Sequence, residues 1–388
     1  MVNPLRYLYR KLIQQQVQGF DLVLLSTAVL LTLAGLVMIY SASSSVSDRN
    51  FGTSLYYLRA HLAHLTLGTI ALIVAMRVPT DVWRRCVPFA MLACFLMLIL
   101  VLIPGIGHQV GGARRWFRIA FFSVQPTELL KLVLIAFVAS YLDRKRELVA
   151  EFFRGVVPGL TVMGVFLLLV IMQPDFGNMV LIALTLLLMI FVGGAKPGHI
   201  LGSLSGFAVI GVYLVASQSY RMKRFLAFMN PWEDRLDSGF QIIQSYLAFG
   251  NGGLTGVGLG ASRQKMFFLP DAHTDFIFSI LGEELGLIGV LSVMALFAVL
   301  LWRGYRASIA ATEDFDRYMA YGITSLFGLQ VLLNMAVVMG MLPTKGLPLP
   351  FISAGGSSVV MTLFMTGILL RIGRRPNPWS TDRATLGG

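Results

Sequence analysis

Apolar runs of roughly 18–25 residues recur along the whole chain, each long enough to cross about 30 Å of hydrocarbon. Lipid offers backbone N–H and C=O groups no partner, so such runs must fold as helices that satisfy their own hydrogen bonds. The composition agrees: of 388 residues, 56% are hydrophobic and 13% are charged, with a mean hydropathy of +0.75. Soluble globular domains do not have this balance. The expected fold class is an all-α polytopic membrane protein. Its two cysteines, Cys86 and Cys94, exclude a disulfide framework and give no zinc spacing.

About ten transmembrane helices are expected, roughly over 21–41, 56–76, 86–103, 126–142, 155–172, 177–193, 198–217, 272–302, 317–342 and 350–372. A long extracytoplasmic loop, 218–271, separates the seventh from the eighth. The transmembrane domain covers 21–373, after an N-terminal segment of 1–20 and before a polar tail, 374–388, that reads as disordered. The first span is about 20 residues, longer than a signal h-region of roughly 7–15, so cleavage near Ser41-Ala42-Ser43 is not expected.

Lys and Arg divide unequally between the two sides. One set of loops and termini holds 18 of them and the other 12, with Lys131 left inside a span. The richer side is cytoplasmic by the positive-inside rule, which places both termini in the cytoplasm. The net charge of +12 then reflects lipid headgroups and topology rather than nucleic acid. The external charges cluster in 104–125 and 218–271, either as a solvated surface or as a basic rim for an anionic ligand. Within the long loop, Phe240 to Phe249 reads as a short interfacial helix. The glycine-rich stretch from Gly250 to Gly260 reads as tight turns. No strand precedes it, so it is not a nucleotide loop.

Ionisable groups at a spanning helix are costly and face protein or a wet cavity. The sequence Phe268-Leu269-Pro270-Asp271-Ala272-His273-Thr274-Asp275 opens the apolar run from Phe276 to Leu301, which also carries Glu283 and Glu284. On a straight helix Glu284 points about opposite to Asp275, so the two do not pair. Asp275 is either one half of an ion pair that stabilises the bundle or a carboxylate that works at the membrane surface.

Four further clusters carry polar groups. Gly111-Gly112-Ala113-Arg114-Arg115-Trp116-Phe117 sets two guanidiniums beside an indole, suited to a phosphate-bearing lipid or to interfacial anchoring. In Gln125-Pro126-Thr127-Glu128-Leu129-Leu130-Lys131, Pro126 suits a first helical turn, and Glu128 and Lys131 share a face. Either those two neutralise each other or Lys131 faces Asp275 across the bundle. Gln173-Pro174-Asp175-Phe176-Gly177-Asn178 reads as a structural turn. Leu342 to Pro350 breaks a helix with three prolines, and Ser353-Ala354-Gly355-Gly356-Ser357-Ser358 follows with small residues that permit close packing.

These motifs, in this order, resemble the SEDS family of polytopic cell-wall proteins over nearly the whole chain, from about residue 20 to 373. Pro343-Thr344-Lys345-Gly346 is more similar to the division and sporulation branch than to the elongation branch. Ala354 departs from the tyrosine usual in the family.

The resemblance implies a peptidoglycan glycosyltransferase that polymerises lipid II during septal wall synthesis in the bacterial inner membrane. It implies a class B penicillin-binding transpeptidase and divisome regulatory membrane proteins as partners, and no nucleic acid. It assigns Asp275 as the catalytic acidic residue, Lys131 as its ionic partner, and Glu128 beside them. It assigns substrate handling to Arg114, Arg115, Trp116, His273, Thr274, Lys345, Ser353, Gly355, Gly356 and Ser357. Asp275 is then expected to act as general base on an acceptor sugar 4-hydroxyl. No certain cofactor follows; a divalent cation, Mg or Mn, is open as a helper, but no ligand set specifies one. A lipid II flippase and a non-catalytic division scaffold are the rival readings.

Overall fold

A computed structural model describes residues 19–110, 112–119, 122–235, 239–266, 273–344 and 346–374. The expected N-terminal segment, apart from its last two residues, and nearly all of the expected tail lie outside the described residues, as do Lys345 and the loop positions 267–272. Each apolar run of the sequence carries a helix. These are α1 (Leu22–Phe51), α2 (Tyr56–Arg77), α3 (Thr80–Leu100), α4 (Pro126–Lys145), α5 (Val157–Met172, entered through a π-helical turn, Phe152–Val156), α6 (Phe176–Val192) and α7 (Pro197–Ala216). Two helices of the long loop follow, α8 (Ser219–Met229) and α9 (Phe240–Gly252), and then α10 (Ile277–Ala310), α11 (Asp314–Val338) and α12 (Gly356–Ile372). Among the described residues, seven helices are long and apolar enough to cross a membrane; α6 and α12 are apolar but shorter.

Local chemistry sets several boundaries. The Asp21 side chain accepts from Leu24 N at 3.1 Å and caps α1, while Gly52 (φ 67°) ends it in the left-handed region. Pro126 and Pro197 open α4 and α7, where their missing N–H costs nothing. The last helix was expected from residue 350 and starts instead at Gly356. Phe351 (φ 65°) and the Pro348–Pro350 stretch keep the preceding segment irregular. The loop 104–125 also differs from the all-α expectation. It holds a three-stranded antiparallel sheet, β1 (His108–Val110), β2 (Ala113–Ile119) and β3 (Phe122–Val124), in the order β1-β2-β3.

The helices pack through small residues, as lipid-immersed bundles do. α12 lies closely along α2, where a Cβ at Gly367 would stand 2.4 Å from Leu72 O. α11 is central: it packs against α10, α4 and α6, and a Cβ at Gly322 would stand 2.6 Å from Ile135 and Met189. α7 sits at the edge, with none of its residues buried.

One helix is broken inside the bundle. Gly286 adopts φ 64° and ψ −165° in the middle of α10, a conformation essentially restricted to glycine. The break removes the helical partners of four backbone groups. The loop after α9 supplies replacements: Leu287 N donates to Gly253 O (3.0 Å), Ile288 N to Leu254 O (3.2 Å), Val257 N to Glu283 O (3.0 Å) and Gly258 N to Glu284 O (3.1 Å). Non-helical backbone is tolerated at membrane depth when protein satisfies it in this way. The approach leaves no room for side chains: a Cβ at Gly286 would lie 2.3 Å from Gly256 N.

Gly286→Ala is therefore expected to cost on the order of 1–3 kcal/mol from backbone strain alone and to lower the thermal midpoint in detergent. Gly202→Ala in α7, where a Cβ meets nothing within 4 Å, is the control and does not lower the midpoint. Equal midpoints for the two variants would contradict the account of the break.

Candidate active site

Asp275 sits in the turn that leads into α10 and is half-buried. Its backbone is held on three successive carbonyls. Ala354 N donates to His273 O (3.0 Å), Ser353 Oγ donates to Thr274 O (2.5 Å), and Asn334 Nδ2 donates to Asp275 O (3.0 Å). Asn334 also donates to Leu347 O at 2.7 Å, and Ser353 Oγ accepts from Leu349 N at 2.8 Å. Gln330, one turn before Asn334 on α11, donates to Pro348 O at 2.7 Å. Two amides of α11 thus fasten the proline-rich segment and the Asp275 turn to each other. A buried hydrogen bond between these groups is worth about 0.5–1.5 kcal/mol net, and an unmade one costs more.

A cavity of about 630 Å³ opens beside this turn. Its walls come from the β1–β2 turn (Gly112, Ala113, Arg115), the α5–α6 turn (Pro174–Gly177), the end of α7, the start of α8 (Arg221, Arg224, Phe225) and the segment Pro343, Thr344 and Gly346. Gly346 joins cavity to carboxylate: a Cβ built there would lie 3.1 Å from Asp275 Oδ2. The lining is mainly apolar, with three guanidiniums from two elements, Arg115 of β2 and Arg221 and Arg224 of α8, which suits an amphipathic molecule carrying negative charge.

Arg115 helps shape the cavity wall. Its Nε donates to Gln173 O (2.8 Å) and its Nη2 to Pro174 O (2.6 Å), while Nη1 stands 3.8 Å from Asp175. Asp175 is buried and accepts from Gln125 Nε2 (3.2 Å), Asn178 N (3.3 Å) and Asn178 Nδ2 (2.9 Å). The α5–α6 turn therefore has the structural part expected of it, and it also faces the cavity. Strand alternation puts Arg114 and Trp116 on the opposite face of β2 from Arg115. Arg114 and Trp116 are not among the cavity-lining residues.

Lys131 and Glu128 are buried at 1% and 3% side-chain exposure and bond at 2.8 Å within α4. Of the two arrangements open in the sequence, the structure has the self-neutralising one. Ser357 Oγ donates to Ser123 O (2.8 Å) and accepts from Gln125 N (3.0 Å), tying α12 to the sheet. Gly355 and Gly356 open α12 beside His64, where a Cβ at 356 would stand 2.7 Å from Nε2. The His273 ring packs on Tyr57 with centroids 4.8 Å apart. Ser353 and Ser357 thus spend their hydroxyls on the backbone, and Arg115 spends two guanidinium nitrogens the same way. Lys345 is outside the described residues. Asn334 and Gln330 were not singled out by the sequence reading, although two amides one turn apart in an apolar helix were a visible signal. Among the described residues, no group of three His, Cys, Asp or Glu side chains converges.

Known proteins share this architecture. The model of the FtsW, RodA and SpoVE family, described as cell cycle protein, matches residues 21–377. A relative from Geobacter metallireducens, named probable peptidoglycan glycosyltransferase FtsW, is 47% identical over 94% of this chain and 97% of its own. Stage V sporulation protein E of Bacillus subtilis is 45% identical over 91% of this chain and 97% of its own. A chain from a structure concerning polymerization and crosslinking by a peptidoglycan synthase complex superposes with a TM-score of 0.76 at 28% identity, covering 92% of this chain and 98% of that one. The rod shape determining protein RodA of Thermus thermophilus superposes with a TM-score of 0.69 at 26% identity, covering 92% and 99%.

Asn334→Leu keeps the branched shape but strips two carbonyls of their donor, at a cost of about 1–3 kcal/mol for each one left unsatisfied. The variant is expected to melt earlier in detergent and to expose the 339–355 segment to limited proteolysis. A wild-type cleavage pattern would show that the amide does not hold this turn.

Proposed function

The chain belongs to the FtsW/RodA/SpoVE family, and from that premise we propose that it is a peptidoglycan glycosyltransferase that polymerises lipid II, with Asp275 as general base. The observation that carries the assignment of the base is the position of Gly346. It lines the cavity on one side and backs on to the Asp275 carboxylate on the other. A lipid-linked donor in the cavity then presents its anomeric carbon near a carboxylate whose backbone is already immobile.

The reaction proceeds as a displacement. Asp275 takes the proton of the acceptor sugar 4-hydroxyl, that oxygen attacks the donor's anomeric carbon, and the lipid pyrophosphate leaves with inversion. A positioned base typically contributes about 10²–10⁴-fold. Arg115, Arg221 and Arg224 bring positive charge to the cavity wall, where negative charge builds on the leaving group. Of the membrane-embedded charges that suit a transporter, Glu128 pairs with Lys131 and Glu284 with Lys265, while Glu283 is held by the Ser262 hydroxyl, two backbone N–H groups and the Asn251 amide. The end of the bundle that bears the sheet and the cavity faces outward in this reading, with both termini in the cytoplasm. The partner is a penicillin-binding transpeptidase that crosslinks the glycan, the pairing that a peptidoglycan synthase complex makes. The division septum is the site of action.

The test uses detergent-solubilised full chain with its transpeptidase partner and lipid II. Wild type is expected to form glycan polymer with no membrane to cross, which requires an enzyme rather than a flippase. Asp275→Ala and Asp275→Asn are expected to fold, keep the partner and lose at least about 10²-fold in polymerisation. A wild-type rate in either variant would remove Asp275 from the reaction.

A further inference from the structure

Two carboxylates deep in α10 fasten the chain on both sides of Asp275. Glu283 and Glu284 are buried at 0% and 1% exposure. Glu284 accepts the Lys265 ammonium at 2.8 Å and the Ser41 hydroxyl of α1 at 2.6 and 2.7 Å. Lys265, itself 3% exposed, also reaches Ser41 Oγ at 3.0 Å. Glu283 accepts the Ser262 hydroxyl, the backbone N–H groups of Arg263 and Gln264 at 3.3 Å each, and the Asn251 amide at 3.4 Å. The end of α9 and the loop that follows it are thereby bound to the helix whose entry turn holds Asp275.

The spacing gives this arrangement its consequence. Lys265 precedes Asp275 by ten residues, and Glu284 follows it by nine. Both ends of the segment that carries the carboxylate are therefore tied to one buried knot. The four backbone bonds across the Gly286 break reinforce the same junction. Net stability does not account for the knot, because a buried ion pair often does no better than apolar residues of equal volume. Directed donors and acceptors supply something apolar packing does not, a single register between loop and helix.

We propose that Glu283, Glu284 and Lys265 are positioning residues for Asp275: they lock the loop after α9 to α10 and so set where the carboxylate stands against the cavity. The proposal rests on Asp275 being the base of the transfer. It gives the intramembrane charges a part in catalysis without contact with substrate.

The test compares wild type with the double variant Lys265→Met/Glu284→Gln, assayed as full chain with the transpeptidase partner on lipid II. Removing both charges together avoids an uncompensated buried ion, so the variant is expected to fold with a thermal midpoint near wild type. Its kcat is expected to fall about 10–100-fold, since a misplacement of about 1 Å costs on the order of 10². Its KM stays within about threefold of wild type. Amide hydrogen exchange across 273–276 is expected to quicken about tenfold or more, while α11 is unchanged. A folded double variant with wild-type kcat, or with its defect confined to KM, overturns the proposal. Should the double variant fail to fold, Ser262→Ala removes one donor from Glu283 and is expected to show the same split at smaller size; an unchanged kcat there overturns it equally. An inactive Asp275→Ala beside a fully active double variant rejects the positioning role alone, whereas a fully active Asp275→Ala rejects the underlying reading as well.

Discussion

Hydrocarbon cannot hydrogen-bond a peptide group, and the functional end of this bundle is built from the places where that rule is met without a helix. At Gly286 the helical bonds stop, and loop residues 253–258 take over four of them. Between α11 and α12 the chain runs irregularly, and Asn334, Gln330 and Ser353 bind the carbonyls and N–H groups that a helix would have used. The second brings non-helical backbone to the turn that holds Asp275, and the first binds the loop after α9 to the helix which that turn enters. The site is thus a by-product of satisfying broken helices, and its rigidity follows from the cost of leaving any of those groups unmade.

The same economy governs charge. A lone ion inside the bundle would carry a penalty of several kcal/mol, so buried charges are expected in pairs with further hydrogen bonds. Lys131 and Glu128 meet that condition within one turn of α4. Lys265 and Glu284 meet it across two elements, with Ser41 from a third. Arg115 and Asp175 meet it at the cavity wall, where the guanidinium also binds two carbonyls. Local pairs cost little in register, whereas the Lys265 pair fixes one segment against another. That difference is the ground on which the proposal gives the Lys265 pair a positioning part.

Much of this was legible in the sequence, for a physical reason. Apolar runs long enough to span are seldom anything but helices, and every expected run holds one. The short helix expected at Phe240 to Phe249 is present as Phe240–Gly252. The Gln173–Asn178 turn and the proline-rich break also stand where the residues put them. The sheet was not legible, because its outer strands have three residues each and Ala113–Ile119 does not alternate strictly between apolar and polar. The basic helix Ser219–Met229 was hidden by its charges, which read equally well as a solvated loop. Gly286 could not be told from Gly282 or Gly289 by sequence alone, since glycine is common in spanning helices and only the approach of Gly256 forces the break. Whether Lys131 faced Glu128 or Asp275 depended on a rotamer, which spacing does not decide.

The way Asp275 is held bears on why a carboxylate works there. Its three flanking carbonyls are bound by Ala354, Ser353 and Asn334, so the turn is fixed through main chain. Fixing the backbone leaves only the χ1 and χ2 rotamers to place the carboxylate. Gly346 lines the cavity and stands close to one of the carboxylate oxygens, with a Cβ built there 3.1 Å from Oδ2. Half-burial then keeps the group near both the apolar cavity and the surface, the boundary at which a lipid-borne sugar must react. As the proposed base, Asp275 changes protonation state during turnover with these three backbone contacts intact, because none of them involves the carboxylate's charge.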